Sequence, residues 1–416
     1  MTGPALPRLV VETREIDPVE DLLLHTAAAR PLVWQRRGDG FVGAGTRHTV
    51  ELSGPLGDLS LGERWRAFAA TAEIDDPVGL PGTGLVGFGA LAFDGGAATS
   101  TVTVPDRIVG RRDGRGWVTR IRRDDEPWPD DAPASEPYGP HWSATLGPGR
   151  QSPERYQQAV RGALAAIAAG EVSKVVMARD VVGHIPAGSD LRRLVRALAS
   201  DYPDTWAFAV DGLIGASPET LVTVHGGTVT ARVLAGTAAR GADPDADVAA
   251  STALATSAKD QDEHQFAVRS VLSALTPHTR VLAAEEAPFT LKLPNVWHLA
   301  TDVEGELSDA ASALDLVAAL HPTAAVAGTP TSAAMAVIRR LEDFDRGRYA
   351  GPVGWIDAHG DGEWAIALRC AQFGAAGADG IPLTAYAGAG IVAGSGPEAE
   401  LLETRVKFRP IIDALA

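Results

Sequence analysis

Through residue 140, apolar positions come in short runs broken by glycine, as in Phe41-Val-Gly-Ala-Gly45 and Gly84-Leu-Val-Gly-Phe-Gly-Ala-Leu-Ala-Phe93. Such runs suit buried strands better than helices. Residues 124 to 153, rich in Pro, Asp, Ser and Gly, read as a linker or excursion. The spacing then predicts a helix from Pro153 to Gly170 and a strand over Ser173-Lys-Val-Val-Met-Ala-Arg179. Further strands are expected at Trp206–Val210, Thr220–His225, Thr228–Val233, Gly354–Asp357, Trp364–Cys370 and Pro382–Ala387. Helices are expected over Thr256–Leu275, Ala311–Leu320, Ser332–Leu341 and Glu398–Leu415.

Antiparallel hairpins such as Thr220–Val233 around Gly226-Gly227, mixed with helices, favour an α+β architecture. A dinucleotide fold is not indicated, because Gly236-Thr-Ala-Ala-Arg-Gly241 lacks the G-x-G-x-x-G spacing and no phosphate-binding loop signature occurs. Residues 1–150 read as a strand-rich N-terminal portion of the same compact fold, and 151–416 as its catalytic portion. The length of 416 residues and 45% hydrophobic content permit a large buried core. No apolar stretch reaches the roughly 20 residues of a membrane span, and no secretory signal is visible. A single cysteine, Cys370, rules out an intramolecular disulfide and fits a reducing cytoplasm. The formal charge of −16 argues against a nucleic-acid partner. It leaves room for a small anionic substrate only where local cations or a metal receive it.

Asp260 and Glu263, and again Glu400 and Glu403, are spaced i, i+3 within predicted helices. Each pair therefore projects two carboxylates from one helix face. That is ordinary helix surface, or, if the faces oppose one another, a seat for a hard divalent cation such as Mg²⁺. Lys174 lies in an apolar strand, on the face of Val176 and Ala178. It either snorkels to water or is buried enough to lose its proton. Glu219, in Ser217-Pro-Glu219, stands where the chain turns, and burial would fit it to be a general acid. Arg369 closes the run Trp364-Ala-Ile-Ala-Leu-Arg369 and is shaped for a bidentate carboxylate contact. Lys407, four residues after Glu403, is either its helical ion-pair partner or an anion anchor. The glycines of Tyr386-Ala-Gly-Ala-Gly-Ile391 serve strand packing or close approach to a small ligand.

Together these residues resemble the chorismate-utilising enzyme family, of the anthranilate synthase component I-like fold, from about Ser152 to the C-terminus. The matching segments include Lys174-Val-Val-Met-Ala-Arg179, Ser217-Pro-Glu-Thr-Leu221, Leu234-Ala-Gly-Thr237 and Glu263-His264. They continue through His321-Pro-Thr, Gly328-Thr-Pro330, Arg348-Tyr-Ala-Gly-Pro-Val-Gly-Trp-Ile-Asp357 and Ala365-Ile-Ala-Leu-Arg-Cys370. The last are Ala387-Gly-Ala-Gly-Ile-Val-Ala393 and Pro397-Glu-Ala-Glu-Leu-Leu-Glu-Thr404 with Lys407.

The resemblance implies two stacked halves with large antiparallel sheets around one deep site, and a Mg²⁺-dependent reaction on chorismate. By position, Glu263 and Glu403 resemble the direct metal ligands, with Asp260 and Glu400 nearby or acting through water. One substrate carboxylate would sit on Mg²⁺ close to Gly236 and Thr237. The enolpyruvyl carboxylate would meet Arg369, beside Tyr349 and the Ala389–Gly390 backbone. His298 and Lys407 would be further substrate contacts.

A lysine at position 174 accompanies water as the nucleophile in this family, where ammonia-using members carry glutamine. The implied chemistry is reversible conversion of chorismate to isochorismate. Lys174 serves as base for water attack at C2, and Glu219 as acid for the departing C4 hydroxyl. No glutamine amidotransferase subunit and no membrane are then needed, and a monomer is the expectation. Isochorismate would feed menaquinone or siderophore synthesis. Salicylate synthases share this machinery and go on to eliminate pyruvate. Tyr349 and Leu368 occur in them too, whereas His321-Pro-Thr-Ala-Ala-Val-Ala-Gly328 is similar to dedicated isochorismate synthases. An amino-transferring enzyme and a non-catalytic chorismate binder are the remaining alternatives.

Overall fold

The computed structural model describes residues 8–52, 61–96, 98–128, 135–292 and 296–416. Its strands form two large sheets, of thirteen and ten strands, antiparallel except for a short parallel pairing of Leu9–Ile16 with Glu73–Asp75. The α+β expectation therefore holds. N-terminal and C-terminal strands share both sheets. Leu32–Arg36 pairs with Trp206–Val210 in the larger one, and Val86–Ala90 pairs with Pro352–Asp357 in the smaller.

The sheets face one another across the main core, where Trp34, Phe41, Phe88, Trp355 and Trp364 are buried. Packing on the face of the smaller sheet is close: a methyl group on Gly89 would lie 2.1 Å from the ring of Trp364, two strands away in the same sheet, so only glycine fits there. A second apolar cluster covers the outer face of the larger sheet. It joins Leu194 and Leu198 to Phe408, Ile411 and Leu415.

Among the described residues there are eight α-helices: α1 (Leu61–Ala69), α2 (Pro153–Ala168), α3 (Arg192–Asp201), α4 (Pro244–Thr256), α5 (Ala258–Leu275), α6 (Ala313–Leu320), α7 (Thr331–Leu341) and α8 (Pro397–Leu415). The N-terminal reading as strand and turn missed α1, whose Trp65 and Phe68 pack into the core. Farther along, α3 and α4 were not expected either. The helix expected over Thr256–Leu275 is α5, which begins two residues later; α4 precedes it, and the two meet at Ser257, which ends α4 and caps α5 by accepting from the Asp260 amide. The excursion at 124–153 lies partly outside the described residues. Its last part forms a short edge strand, Thr145–Pro148, paired with Lys174–Ile185.

Two strand boundaries matter for the site. Thr228–Ala239 runs longer than its expected end at Val233, and a bulge interrupts its pairing with Val296–Leu307 between Leu234 and Thr237. The expected strand Trp364–Cys370 is broken. Gly362–Ile366 belongs to the smaller sheet and Cys370–Phe373 to the larger, and between them Arg369 adopts a left-handed φ of 50°. The chain changes sheet here, which alternating apolar residues do not reveal.

Candidate active site

Two helix ends, a bulged strand and the edge of the larger sheet enclose a cavity of about 220 Å³. Each wall has its own anchor. On α5, His264 is buried behind the wall, with Nδ1 3.1 Å from the Ala235 carbonyl and Nε2 2.7 Å from Thr301 Oγ1. That fixes the rotation of α5 against the sheet, so that Asp260 and Glu263 line the cavity. On α8 the same job falls to Thr404. It accepts from Arg179 Nε at 2.9 Å, and the Arg179 guanidinium lies over the Phe408 ring. Glu400 and Glu403 line the cavity opposite the α5 pair. The two acidic faces therefore share one space, as expected for opposed pairs.

Each of the two candidate direct metal ligands has a lysine partner. Lys174 Nζ is 2.6 Å from Glu263 Oε1, and Lys407 Nζ is 2.6 Å from Glu403 Oε1. Lys174 opens the strand Lys174–Ile185 and passes close to Gly390 on the neighbouring strand Ile381–Ile391, where a methyl group would lie 3.0 Å from its Cε. Lys407 also donates to the Gly388 carbonyl at 2.9 Å.

Glu219 sits at the entry to Thr220–His225. Its amide donates to Ser217 Oγ at 3.2 Å, and Ser217 Oγ donates to the Ile366 carbonyl at 2.6 Å. The Ile366 amide in turn donates to the Glu219 carbonyl at 3.0 Å. This lattice fixes the turn, and burial pushes the Glu219 carboxyl up to about 7 against the pull of Lys174, Lys407 and Arg369. A carboxylic acid half protonated at neutral pH is placed to give up a proton.

Arg369 is deep in the protein and held below its usual range by burial, with one N–H reaching the Lys407 carbonyl at 3.4 Å. His298 pairs across the bulge with Thr237, Nδ1 to Oγ1 at 2.9 Å. Burial, then Arg369 and Lys407, bring it down to about 3, so it is a neutral ring at physiological pH. Gly236 occupies the bulge with φ of 82°, where a methyl would press on Asp260 Cβ at 3.3 Å. Tyr349 stacks on Tyr386, with centroids 5.1 Å apart.

The cavity thus gathers Lys174, Glu219, Gly236, Thr237, Asp260, Glu263, His298, Tyr349, Arg369, Gly390, Glu400, Glu403 and Lys407. Ala389 is not in its lining. Strand alternation turns its side chain away, while Gly388 and Gly390 on either side face in. Among the lining residues that the sequence did not single out are Arg346 and Tyr386. Arg346 is buried, pairs with Glu342 at 2.6 Å and donates to the Val176 and Val326 carbonyls, which ties the 325–326 wall to the sheet. Tyr386 heads the glycine run and was legible only as part of it.

Among the described residues, no group of three or more acidic, histidine or cysteine side chains is already close enough to hold an ion. The donor set nevertheless fits Mg²⁺. It offers only carboxylate oxygens, and Mg²⁺ takes one or two of these and fills the rest with water and substrate oxygens. Burial, and the charge of Glu403, raise the Glu400 carboxyl above its usual range, the mark of negative charge in want of a cation. No helix among the described residues is long and apolar enough to cross a membrane.

The chain is similar to several known proteins. Isochorismate synthase DhbC of Bacillus subtilis is 43% identical over 275 residues, 63% of this chain and 68% of that protein. A putative isochorismate synthase, MenF, of Mycobacterium tuberculosis is 38% identical over 348 residues, 80% of this chain and 87% of that one. Among solved structures, a putative 2,3-dihydroxybenzoate-specific isochorismate synthase of Bacillus anthracis superposes with a TM-score of 0.77 at 32% identity, covering 95% of this chain and 98% of the other. Anthranilate synthase component I of Streptococcus pneumoniae shares the fold, with a TM-score of 0.62 at 21% identity and coverage of 99% and 93%. The family described as chorismate binding enzyme matches residues 3–416, and to that family the chain belongs.

Proposed function

We propose that the chain is an isochorismate synthase that interconverts chorismate and isochorismate by attack of water at C2 and departure of the C4 hydroxyl. The observation that carries this reading is the pairing of Lys174 with an acid, Glu219, that burial keeps half protonated near neutrality, in the same cavity. A lysine base and a protonated carboxyl on one ring are what a displacement with allylic shift needs.

Lys174 accepts a proton from the attacking water once its contact with Glu263 is released. Glu219 donates a proton to the leaving hydroxyl, which departs as water. Arg369 receives the enolpyruvyl carboxylate in a region of low dielectric, where a guanidinium–carboxylate pair is strong. Neutral His298 and Thr237 form a hydrogen-bonding wall, and Tyr349 with Tyr386 an aromatic one. Glu263 and Glu403, with Asp260 and Glu400 beside them, would hold Mg²⁺, which supplies charge neutralisation for the ring carboxylate. The reverse reaction uses the same two groups in exchanged protonation states.

Water as nucleophile requires no amidotransferase partner, and we place the enzyme in the cytoplasm as a monomer, where the buried thiol of Cys370 stays reduced. The test is product analysis. Purified protein with chorismate and Mg²⁺ should yield isochorismate by chromatography, and Lys174→Ala and Glu219→Ala should each lose about 10²–10⁴-fold. Near-normal turnover in either variant would overturn the acid–base assignment.

A further inference from the structure

Lysine is scarce in this chain. Of its 37 basic side chains only four are lysines, and three of these, Lys174, Lys259 and Lys407, line the catalytic cavity. The fourth, Lys292, stands elsewhere, over the Trp297 ring and 3.7 Å from Asp247. Lys174 and Lys407 already have parts in the proposed reaction. Lys259 has none.

Lys259 is the second residue of α5, after the Ser257 cap. A cation there works against the helix, whose first turn favours negative charge. Its i+4 neighbour Glu263 offers no compensation, because that carboxylate is held by Lys174. Among the described residues Lys259 has no ion-pair partner. The side chain instead reaches across to the opposite wall. Its Nζ is 4.0 Å from where a methyl group on Gly394 would lie, in the turn that leads into α8. That turn is well fixed: the Val392 amide donates to Ser395 Oγ at 3.2 Å, and the Ser395 amide to the Val392 carbonyl at 2.9 Å. Val392 and Ser395 line the cavity too. The ammonium therefore spans the gap between the two helices that carry the acidic pairs. Of the lining cations it alone is exposed, whereas Lys174, Arg369 and Lys407 are partly buried and Arg346 fully so. It stands where the cavity meets solvent.

We propose that Lys259 is the capture residue of the site, drawing the dianionic substrate to the mouth and turning a carboxylate inward before Arg369 or Lys407 meets it. The inference rests on chorismate being the substrate. A formal charge of −16 repels a dianion, and screening decides how far that matters. At physiological ionic strength the charges beyond about 8 Å are largely screened, so the few charges at the mouth govern the final approach. Two of the four carboxylates there, Glu263 and Glu403, are already paired with lysines. Burial raises the Glu400 carboxyl, and Lys259 is among the charges that pull it back, so the ammonium acts on the remaining pair. A compact ammonium on a flexible stem attracts a carboxylate without the two-pronged grip of a guanidinium, and so lets the anion pass inward.

The test is kinetic, at saturating Mg²⁺ and constant pH. Lys259→Ala should lower kcat/KM for chorismate about tenfold while kcat at saturation holds, as loss of a steering charge at a rim does. Wild-type kcat/KM should fall as NaCl is raised, and that dependence should vanish in the variant. Lys259→Arg should restore both. Lys292→Ala removes the same charge elsewhere and should change neither. Because the lysine opposes its own helix, Lys259→Ala should melt no lower than wild type. Unchanged kcat/KM in Lys259→Ala overturns the proposal, and so does an equal loss in Lys292→Ala, which would be an effect of net charge. A Lys259→Ala protein that melts lower and loses kcat in step with kcat/KM also overturns it, since that is a structural effect. A wild-type protein that forms no isochorismate from chorismate would instead sink the functional reading beneath it.

Discussion

Lys174 Nζ and Glu263 Oε1 lie 2.6 Å apart, so the proposed base and a proposed metal ligand satisfy one another across the cavity. Lys407 and Glu403 do the same on the other wall. These two carboxylates are therefore already paired before any cation arrives, and the arrangement separates what a metal does for activity from what it does for the fold.

The expectation for metal removal follows directly. EDTA should abolish isochorismate formation and added Mg²⁺ should restore it, while the thermal midpoint without metal stays within a few degrees of the holo value, roughly the change that 1 kcal/mol makes in a chain of this size. Glu263→Gln and Glu403→Gln should each lose activity by orders of magnitude. Full turnover in metal-free buffer would contradict the Mg²⁺ assignment.

The Glu219 carboxyl ties activity and stability to pH in the same direction, both favoured while it is protonated. Raised from 4.5 to about 7, it holds its proton in the folded chain across a window where the unfolded chain has released it. The folded state then binds more protons, so this group's contribution makes stability fall as pH rises from 4.5 through about 7. Above that window the buried carboxylate costs on the order of 3 kcal/mol, at roughly 1.4 kcal/mol for each pH unit of the difference. Glu219→Gln should therefore be inactive yet melt higher than wild type at pH 8 and alike at pH 4. Forward activity of the wild type should decline above about pH 7, on the alkaline limb of its profile, as Glu219 loses its proton. Equal melting points at pH 8 would show that the carboxyl is not penalised.

For product, isochorismate should accumulate near neutral pH without pyruvate. The Ala324-Ala325-Val326 segment contributes Ala325 and Val326 to the cavity wall, so that wall offers no side-chain hydroxyl beside the ring to assist a further elimination. A lactate dehydrogenase-coupled assay decides it, and stoichiometric pyruvate with salicylate would make the chain a salicylate synthase.

Gly236→Ala tests the bulge. At φ of 82° a side chain is strained, by about 1–3 kcal/mol, and its methyl would push Asp260. The expected outcome is a raised Mg²⁺ requirement together with a lower melting point. A variant with unchanged Mg²⁺ titration would show that Asp260 plays no part in the cation seat.

Much of this was readable from residues alone. The i, i+3 spacing placed Asp260 with Glu263 and Glu400 with Glu403 on helix faces, and strand alternation put Lys174 with Val176 on the cavity side. What spacing does not carry is the partner across space. Nothing local links Lys174 to Glu263, because their contact depends on how His264 seats α5 on the sheet. The break at Arg369 was hidden for a similar reason: its neighbours are apolar on both sides, because the chain leaves one core-facing strand for another. Helix α1 was missed where Trp65 and Phe68, residues that also favour strands, meet a core that selects the helical turn. The Asp243-Pro244 start of α4 was a legible helix signal that went unread, with Asp243 capping the Ala246 amide.

The strand that carries Lys174 finds its sheet partner at residues 381–391, and α8 docks through Arg179 onto that same strand. Such pairings join segments far apart along the chain, and contacts of this kind form late because the intervening loop must first be closed. A nascent chain would thus have its base early and its second carboxylate pair only when α8 is released and seated. Catalytic competence waits on that docking, and a chain cut short before α8 is chemically silent.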